Sequence, residues 1–257
     1  MLARAAPALL GLLVLALWEG LTRLLAVPAY VLPGPLAILR ALVEDWPLLW
    51  GSMLVTLRIA LLALLAAVAV GGMLAVLFAQ SRWLERALFP YAVVLQVTPI
   101  VAIAPLVLIW VGDVTLSLLI CAWIVAFFPV LSNTVLGLNS ADRNLVELFR
   151  LHGATRWQAL RLLRLPAALP FFLAGLRVAG GLALIGAVVA EFVAGAGGTG
   201  SGLAFRILEA GYQLRIPRMF AALALISACG IAIFAALGLL QHLLLRRWHE
   251  SATRPEG

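Results

Sequence analysis

Long apolar runs separated by short polar segments dominate this chain. Six runs reach the roughly 20 residues that one helical crossing of a bilayer requires. Their approximate bounds are 7–27, 53–79, 88–111, 114–138, 167–193 and 219–245. The pattern predicts an all-α membrane protein with six transmembrane helices, in which residues 1–257 form a single transmembrane domain.

A different pattern separates the first two runs. Prolines at positions 28, 33 and 35 disfavour helix, because they remove backbone donors and constrain the residues before them. From Leu36 to Leu49, apolar residues then recur at helical spacing with charged residues opposite. Pro35 suits the first position of such a helix. We expect an amphipathic helix that lies along the membrane interface.

The composition agrees with a membrane location. The chain is 65% hydrophobic and 11% charged, with a mean hydropathy of +1.12, whereas soluble domains are about 45–50% apolar and about 25% charged. All basic residues are arginine, and the formal net charge is +7. These arginines lie in short segments between apolar runs, which fits membrane orientation better than a nucleic-acid groove.

The arginines also predict an orientation. Six crossings place both termini on one side, and eleven arginines lie on that side against five on the other. The first group is Arg4, Arg82, Arg86, Arg143, Arg150, Arg156, Arg161, Arg164, Arg246, Arg247 and Arg254, and the second is Arg23, Arg40, Arg206, Arg215 and Arg218. The positive-inside rule therefore places both termini in the cytoplasm, with a polar tail over residues 246–257.

The longest polar interruption lies between the fourth and fifth runs. Ser140 or Asp142 can cap a short helix, and Gly153 suits the left-handed position that ends it. Residues 155–158 have the form of a capping box, which opens a second helix, and Pro166 marks the start of the fifth span. Two interpretations remain open: an amphipathic loop that rests on the membrane, or a surface that docks a partner.

Catalytic and cofactor motifs are absent from the sequence. Residues 195–200 match G-x-G-x-x-G, but a membrane helix precedes them where a dinucleotide site requires a strand. A Walker-type phosphate loop requires a lysine, and the chain has none. The three histidines and two cysteines show no spacing typical of a metal site or a catalytic triad. We therefore expect no cofactor, no metal and no catalytic residue in this chain.

A few polar residues lie inside the apolar runs. Arg177 and Glu191 are fourteen residues apart, about 21 Å along a helix, so they cannot pair within it. Glu191 fits either a structural pair or a substrate contact, and Arg177 fits either snorkelling or a pore-facing position. The other four accompany prolines, where they either line a path or repair kinked helices. The candidate translocation residues are Gln96, Thr98, Asn133, Thr134, Arg177 and Glu191.

The polar segment, residues 139–166, resembles a known motif. Glu147 is followed by Gly153-Ala154, and the nine residues from Ala154 to Leu162 precede Leu163-Arg164-Leu165-Pro166. This spacing resembles the EAA loop of permeases in binding-protein-dependent ABC importers. Leu148 and Phe149 replace the usual alanines of that motif, and Leu163 replaces the usual isoleucine.

Further residues resemble the nitrate/sulfonate/taurine branch of that family, which includes importers of thiamine-precursor pyrimidines and of riboflavin. They are Trp18-Glu19, Leu32-Pro33-Gly34-Pro35, the region from Thr98-Pro99 to Pro105, Phe128-Pro129 with Asn133-Thr134, and Ala190-Glu191.

The resemblance implies a function. The chain would be the permease of a bacterial inner-membrane importer, paired with a second permease, most simply a copy of itself. A cytoplasmic ATPase dimer would bind ATP and Mg, and a substrate-binding protein would act outside. Closure of the ATPases would draw the two loops together and switch the cavity from inward to outward facing. By resemblance, the coupling residues are Glu147, Arg150, Leu151, His152, Gly153, Ala154, Thr155 and Arg156.

Two other classes of function are weighed against this one. An ion-coupled secondary transporter usually needs buried ionisable relays and often inverted repeats, and this sequence has few such residues and no evident repeat. A membrane enzyme needs a catalytic cluster, and none is visible in the sequence. The expected cargo of an importer is a small polar solute such as nitrate, a sulfonate or taurine, or a pyrimidine- or riboflavin-type vitamin precursor.

Overall fold

A computed structural model describes residues 2–195 and 200–246, and these residues form helices and connecting turns without a strand. The helices are α1 (Leu2–Leu24), α2 (Pro35–Glu44), α3 (Trp46–Gln80), α4 (Arg82–Val97), α5 (Ile100–Val111), α6 (Val114–Asn139), α7 (Arg143–Leu151), α8 (Arg156–Ala159), α9 (Leu165–Ala194), α10 (Leu203–Tyr212) and α11 (Ile216–Leu245). A π-helical turn (Leu160–Arg164) joins α8 to α9. Most of the glycine-rich motif at 195–200, Arg247, Arg254 and the rest of the polar tail lie outside the described residues.

Several helices are long and apolar enough to cross a membrane. Within the described residues, four qualify: α3, α6, the continuous helix Arg156–Ala194 and α11. A fifth crossing is counted if α4 and α5 form one span, although they are bent by 101°. Helix α1 covers the first predicted span and is not among these four. The all-helical membrane fold is therefore confirmed, and the count of six crossings remains a prediction.

The third predicted span is broken at Thr98-Pro99. Thr98 and Pro99 both have extended backbone, with ψ angles of 122° and 119°, between α4 and α5. Pro99 has no backbone N–H and biases the preceding residue away from helix. The break expected beside these residues is present, and it turns the chain through a large angle.

The second helix of the loop and the helix of the fifth span, expected to be separated at Pro166, form one continuous helix. The helix starts at Arg156 and continues through the π turn into α9, so Pro166 lies inside it. In the π turn, the N–H of Leu165 donates to the carbonyl of Leu160, five residues earlier. Pro166 fits here because the π turn already interrupts the four-residue bonding that proline would break.

The amphipathic segment from Leu36 to Leu49 is also divided differently from the prediction. Pro35 opens α2 as expected, but α2 ends at Glu44 with Asp45 as its C-cap. The remaining residues, from Trp46 onward, form the start of α3. Leu49 is fully buried there, and this part of the segment belongs to a helix that is long and apolar enough to cross a membrane.

Helix α10 lies between the fifth and sixth apolar runs, where no helix was predicted. Leu203, Ile207 and Ala210 recur at helical spacing, and Leu203 and Ala210 are fully buried. Gly202 serves as the N-cap of this helix. The apolar periodicity of the segment, rather than its glycine content, decides its structure.

The chain divides into two compact units. Unit 1 comprises residues 1–56 and 195–228, and unit 2 comprises residues 57–194 and 229–257. In unit 1, the buried core consists of Leu49, Leu203, Ala221, Ala222 and Leu225. Partly buried Ile38 and Leu42 of α2 and Ile207 of α10 pack against this core, among others. The amphipathic face of α2 thus contributes to the core of unit 1.

Close packing of α6 against α9 organises unit 2. A Cβ atom at Gly137 would lie 2.8 Å from Cα of Ala168, and one at Gly186 would lie 2.9 Å from Cα of Ala122. Between these contacts, a Cβ at Gly175 would lie 2.7 Å from the carbonyl oxygen of Pro129. Small residues at such points let antiparallel membrane helices approach closely.

Two pairs of adjacent glycines, Gly71-Gly72 and Gly180-Gly181, also lie in the apolar runs, and one glycine of each pair makes a close contact. A Cβ at Gly71 would lie 3.3 Å from the backbone nitrogen of Leu131, and one at Gly180 would meet Cδ1 of Leu237. The positions beside them, Gly72 and Gly181, face open space. The three contacts between α6 and α9 were not predicted, because isolated glycines in apolar runs give no local signal.

Candidate functional site

The α7–α8 turn, residues 142–159, begins with a capped helix. Asp142 is the N-cap of α7, and its carboxylate accepts a hydrogen bond of 2.7 Å from the backbone N–H of Asn144. Ser140, the other residue considered for this role, instead ends α6. The predicted start of the short helix is therefore confirmed at Asp142.

The corner between α7 and α8 has the geometry of a Schellman motif. Gly153 is left-handed with φ of +69°. Its N–H donates to the carbonyl of Arg150 at 3.0 Å, and the N–H of Ala154 donates to Phe149 at 2.9 Å. These bonds satisfy carbonyl groups that the end of a helix leaves free. The role predicted for Gly153 is confirmed.

The predicted capping box opens α8. The hydroxyl of Thr155 accepts a hydrogen bond of 3.2 Å from the N–H of Gln158. In return, the N–H of Thr155 donates to the side-chain oxygen of Gln158 at 2.8 Å. Both reciprocal bonds of the motif are thus present. The shape of the whole corner is set by hydrogen bonds between residues at most five apart.

The turn exposes apolar side chains. Leu151 at the corner is 85% exposed, Trp157 is 62% exposed and Leu148 is 46% exposed. Large apolar side chains that remain exposed on a hydrogen-bonded turn are typical of a surface that contacts a membrane or another protein. Of the eight predicted coupling residues, seven are exposed and Ala154 is half-buried.

Two connections join the turn to the membrane helices of unit 2. The first is the continuous helix from Arg156 into α9. The second is a hydrogen bond of 3.0 Å from Nη1 of Arg164 to the carbonyl oxygen of Ala79, in the last turn of α3. A free carbonyl at a helix C-terminus favours such a cationic partner. The turn therefore continues into α9, and the π turn that follows it is bonded to α3.

Two cavities adjoin the turn on the side of α4 and α6. Their volumes are about 970 Å³ and 830 Å³, and both are lined by Arg82, Glu85, Arg150 and Arg164. Glu147 lines the larger cavity, together with Arg86 and Arg143. The grouping of these arginines around a cavity was not predicted. The arginines of α4 and α7 are spaced so that they share one face of each helix, and this spacing could have predicted the grouping.

The polar residues near the prolines bond mainly to their own helices. The hydroxyls of Thr98 and Thr134 donate to carbonyls four residues earlier, at 2.6 Å and 2.5 Å. The side-chain amide of Asn133 donates to the carbonyl of Pro129 at 2.8 Å. Gln96 is exposed on α4. These bonds fit the repair of bent helices, and the translocation role of these residues remains a prediction.

The two charged residues of α9 have different surroundings. Glu191 is 3% exposed and has an interaction partner. Arg177 is half-buried, and its guanidinium lies 3.7 Å from the centre of the Phe234 ring on α11. Its Nε is buried and has no hydrogen-bond partner among the described residues. Arg177 thus forms a cation–π contact between two helices and keeps an unused donor.

Unit 1 contains polar contacts that sequence reasoning did not find. Arg218 donates two hydrogen bonds, each of 2.5 Å, to the carboxylate of Asp45 at the junction of α2 and α3. Arg206 bonds Ser52 at 2.9 Å and Glu209 at 2.8 Å. Arg206 and Ser52 lie 154 residues apart in the sequence, and Arg218 and Asp45 lie 173 apart, so no local sequence pattern predicts these contacts. Within α1, Arg23 and Glu19, four residues apart, form an ion pair of 2.6 Å.

Comparison with known sequences identifies relatives along nearly the whole chain. Residues 67–250 match the family described as binding-protein-dependent transport system inner membrane component. A riboflavin transport system permease protein of Chloroflexus aurantiacus is 37% identical, over 93% of this chain and 88% of the relative. A formylaminopyrimidine transport permease protein of Halalkalibacterium halodurans is 34% identical, over 93% and 94%. A putative aliphatic sulfonates transport permease protein of Bacillus subtilis is 32% identical, over 93% and 83%.

Two solved structures share the fold. A crystal structure of an amino acid ABC transporter with histidines matches with a TM-score of 0.64 and 20% identity, over 80% of this chain and 96% of that one. An inward-facing structure of the MetNI methionine ABC transporter matches with a TM-score of 0.63 and 19% identity, over 82% and 99%.

Proposed function

This chain belongs to the family of binding-protein-dependent transport system inner membrane components, and from that premise we propose how it couples transport to ATP. It is the permease subunit of an ABC importer, not an enzyme, and ATP hydrolysis resides in a separate subunit. We propose that the α7–α8 turn is the surface on which that ATPase acts.

One observation supports this role above all others. The turn presents Leu151 with 85% of its side chain exposed, on a corner fixed by its own hydrogen bonds. It continues into α9 as one helix, and Arg164 of the following π turn bonds α3. A coupling element requires an exposed contact surface and a stiff connection to the moving helices, and the turn has both.

The coupling surface consists of the residues carried over from the family resemblance. Leu151 and Gly153 form its corner, and Glu147 and Arg150 on α7 lie beside the larger cavity. Leu148 and Phe149 stand where the family usually has alanines, so the groove of the cognate ATPase is expected to accommodate bulkier side chains. The full set is Glu147, Arg150, Leu151, His152, Gly153, Ala154, Thr155 and Arg156.

The proposed topology places the turn in the cytoplasm. It has six crossings, formed by α1, α3, the bent pair α4–α5, α6, the continuous helix Arg156–Ala194 and α11. Both termini are then cytoplasmic, which agrees with the distribution of arginines. The assembly contains a second copy of this chain, a cytoplasmic ATPase dimer that binds ATP and Mg, and a substrate-binding protein outside the inner membrane.

The proposed cargo is a small polar solute. The range of candidate solutes follows from the relatives, which are named for the transport of riboflavin, formylaminopyrimidine and aliphatic sulfonates. Gln96, Thr98, Asn133, Thr134, Arg177 and Glu191 are the proposed residues of the path. Among them, Arg177 is the strongest candidate for contact with a solute, because its buried Nε is an unused donor in the described fold.

Reconstituted transport tests the coupling role of the turn. Gly153→Pro cannot adopt a φ of +69° and lacks the N–H that bonds Arg150, so the corner must rearrange. Glu147→Arg reverses a charge on the proposed contact. We expect both variants to lose ATP-driven uptake by more than tenfold while retaining their folded helices.

Gly153→Asn is the matched control, because asparagine tolerates the left-handed conformation. It should transport at close to the rate of the unaltered protein. Normal uptake and normal stimulation of the ATPase in Gly153→Pro and Glu147→Arg would contradict the coupling role. Uptake that continued without the ATPase subunit would contradict the importer function itself.

A further inference from the structure

Three helices converge on the larger cavity, which has a volume of about 970 Å³. Each helix contributes residues from one of its faces, at spacings of three, four and seven. The contributions include Arg82 and Arg86 from α4, Leu136 from α6, Arg143 and Glu147 from α7, and Arg164 from the π turn. We call this cavity the arginine cleft.

The arginine cleft is amphipathic. Its apolar lining comes from the middle of α4 and the C-terminal end of α6, and includes Phe89, Pro90 and Leu136. Its cationic lining lies at the start of α4 and on α7, and includes Arg86 and Arg143. An occupant that satisfies both regions has an anionic end and an apolar end.

The lining of the arginine cleft carries an excess of positive formal charge. Five arginines and two glutamates line it, which leaves a formal charge of +3. The ion pairs found within the described residues are Arg23 with Glu19, Arg206 with Glu209 and Arg218 with Asp45, and none of them involves the cleft. Of the five arginines, Arg164 donates to the carbonyl oxygen of Ala79.

We propose that the arginine cleft binds the phosphate of an anionic amphiphile, namely an inner-leaflet phospholipid with a net negative headgroup. This inference rests on the proposed orientation, which places the cleft at the cytoplasmic surface of the membrane. Arginine guanidinium groups bind phosphate oxygens through paired hydrogen bonds. Basic pockets between membrane helices on the cytoplasmic side are suited to such headgroups.

An exposed tryptophan supports a location at the membrane interface. Trp83, next to Arg82 at the start of α4, is 76% exposed. Tryptophan is enriched at the level of lipid headgroups, where its ring contacts apolar chains and its N–H remains hydrated. A phosphate bound at this level bridges α4 and α7, and the acyl chains lie against Phe89 and Leu136.

Native mass spectrometry of the intact complex with its ATPase tests the proposal. The complex is presented with phosphatidylglycerol or with phosphatidylcholine, and retained lipid is counted. We expect phosphatidylglycerol to be retained preferentially. The double variant Arg86→Gln/Arg143→Gln should weaken its binding roughly fivefold for each arginine, and so about 25-fold together.

Arg161→Gln is the matched control. Arg161 is exposed on the same π turn as Arg164 but lines neither cavity, so removing its charge should leave lipid retention unchanged. Equal loss in this control and in the double variant would show only a general effect of charge and would overturn the site. Equal retention of the two lipids would overturn it as well.

A separate arm distinguishes a lipid from a free anion. Inorganic phosphate or glycerol phosphate at millimolar concentration should not displace phosphatidylglycerol, because neither engages the apolar lining. Displacement by either would overturn the lipid assignment in favour of a soluble phosphate.

ATP-driven uptake is measured on the same preparations. If phosphatidylglycerol is not retained preferentially but uptake is intact, this proposal alone is refuted. If uptake is lost while phosphatidylglycerol is retained as predicted, only the proposed function is contradicted.

Discussion

The α7–α8 turn and the α6–α9 pair lie in the same unit and are held together by opposite means. The turn is fixed by hydrogen bonds between near neighbours in sequence, and its apolar side chains point outward. The pair is fixed by backbone approach at Gly137, Gly175 and Gly186, and its contacting residues lie far apart in sequence. The turn can therefore exchange partners while the pair maintains the fold.

The difference separates stability from recognition. A change at a buried contact of the pair affects every later step, because the helices no longer fit together. A change of an exposed apolar side chain of the turn, such as Leu151, should leave the fold intact and alter only what binds there. Substitutions that are matched in size but placed in the two regions should therefore give distinct combinations of stability and transport.

The largest effect on stability is expected from Gly175→Ala/Gly186→Ala. Each added Cβ meets backbone atoms closer than 3 Å, and overpacking of this kind costs about 1–3 kcal/mol at each site. The sites are about 16 Å apart along α9, so their effects should add. The thermal midpoint of the purified complex should fall by many degrees.

The control for this variant is Gly72→Ala/Gly181→Ala. It adds the same two methyl groups at positions that face open space. Its midpoint should stay the same or rise, since alanine favours helix over glycine by about 1 kcal/mol. Similar midpoints for the two double variants would show that close backbone approach does not stabilise the α6–α9 pair.

A smaller effect, confined to binding, is expected from Leu151→Asp. The side chain is 85% exposed, so the charge is tolerated by the fold. A central apolar contact of an interface contributes about 2 kcal/mol, so affinity for the ATPase should fall by roughly 30-fold. The test is a titration of detergent-solubilised permease with purified ATPase, alongside a thermal scan.

Tyr212→Asp controls for the added charge, because Tyr212 is 89% exposed on α10 in the other unit. It should bind the ATPase with unchanged affinity. A loss of affinity that is the same for both variants would argue against a specific role of the turn.

The smallest effect is expected from Thr155→Ala. The variant loses one half of the capping box, which costs about 1 kcal/mol of local helix stability. Hydrogen exchange at the amide of Gln158 should accelerate about fivefold, while the thermal midpoint stays unchanged. Thr155→Ser keeps the hydroxyl and should keep the protection. Unchanged exchange in Thr155→Ala would mean that other contacts hold the start of α8.

The same contrast explains which features the sequence could predict. Asp142, Gly153 and the box at 155–158 act on neighbours, so residue type and spacing alone identified their roles. The positions of Gly175 and Gly186 against α6 depend on the register of two distant helices, which no local pattern encodes. A single sequence therefore predicts the hydrogen bonds between neighbouring residues of the turn, but it does not predict the contacts between two distant helices.

Errors in the prediction also have a physical pattern. Pro166 was interpreted as a helix start because proline usually interrupts helices, but a π turn before it removes the conflict. Helix α10 was missed because the glycines around it suggested a loop, although Leu203 and Ile207 are spaced as on a helix. In both places, a rule about one residue type failed. Before Pro166 the hydrogen bonding of the π turn decided the structure, and in α10 the spacing of the apolar residues did.

Site-specific cross-linking tests the coupling role of the turn most directly. Leu151→Cys and Tyr212→Cys place thiols at two comparably exposed positions, and the native Cys121 and Cys229 are buried. We predict that Leu151→Cys cross-links to the ATPase and resists membrane-impermeant reagents added outside. Tyr212→Cys should react with those reagents and give no cross-link to the ATPase. A cross-link through position 212, or labelling of position 151 from outside, would contradict the account.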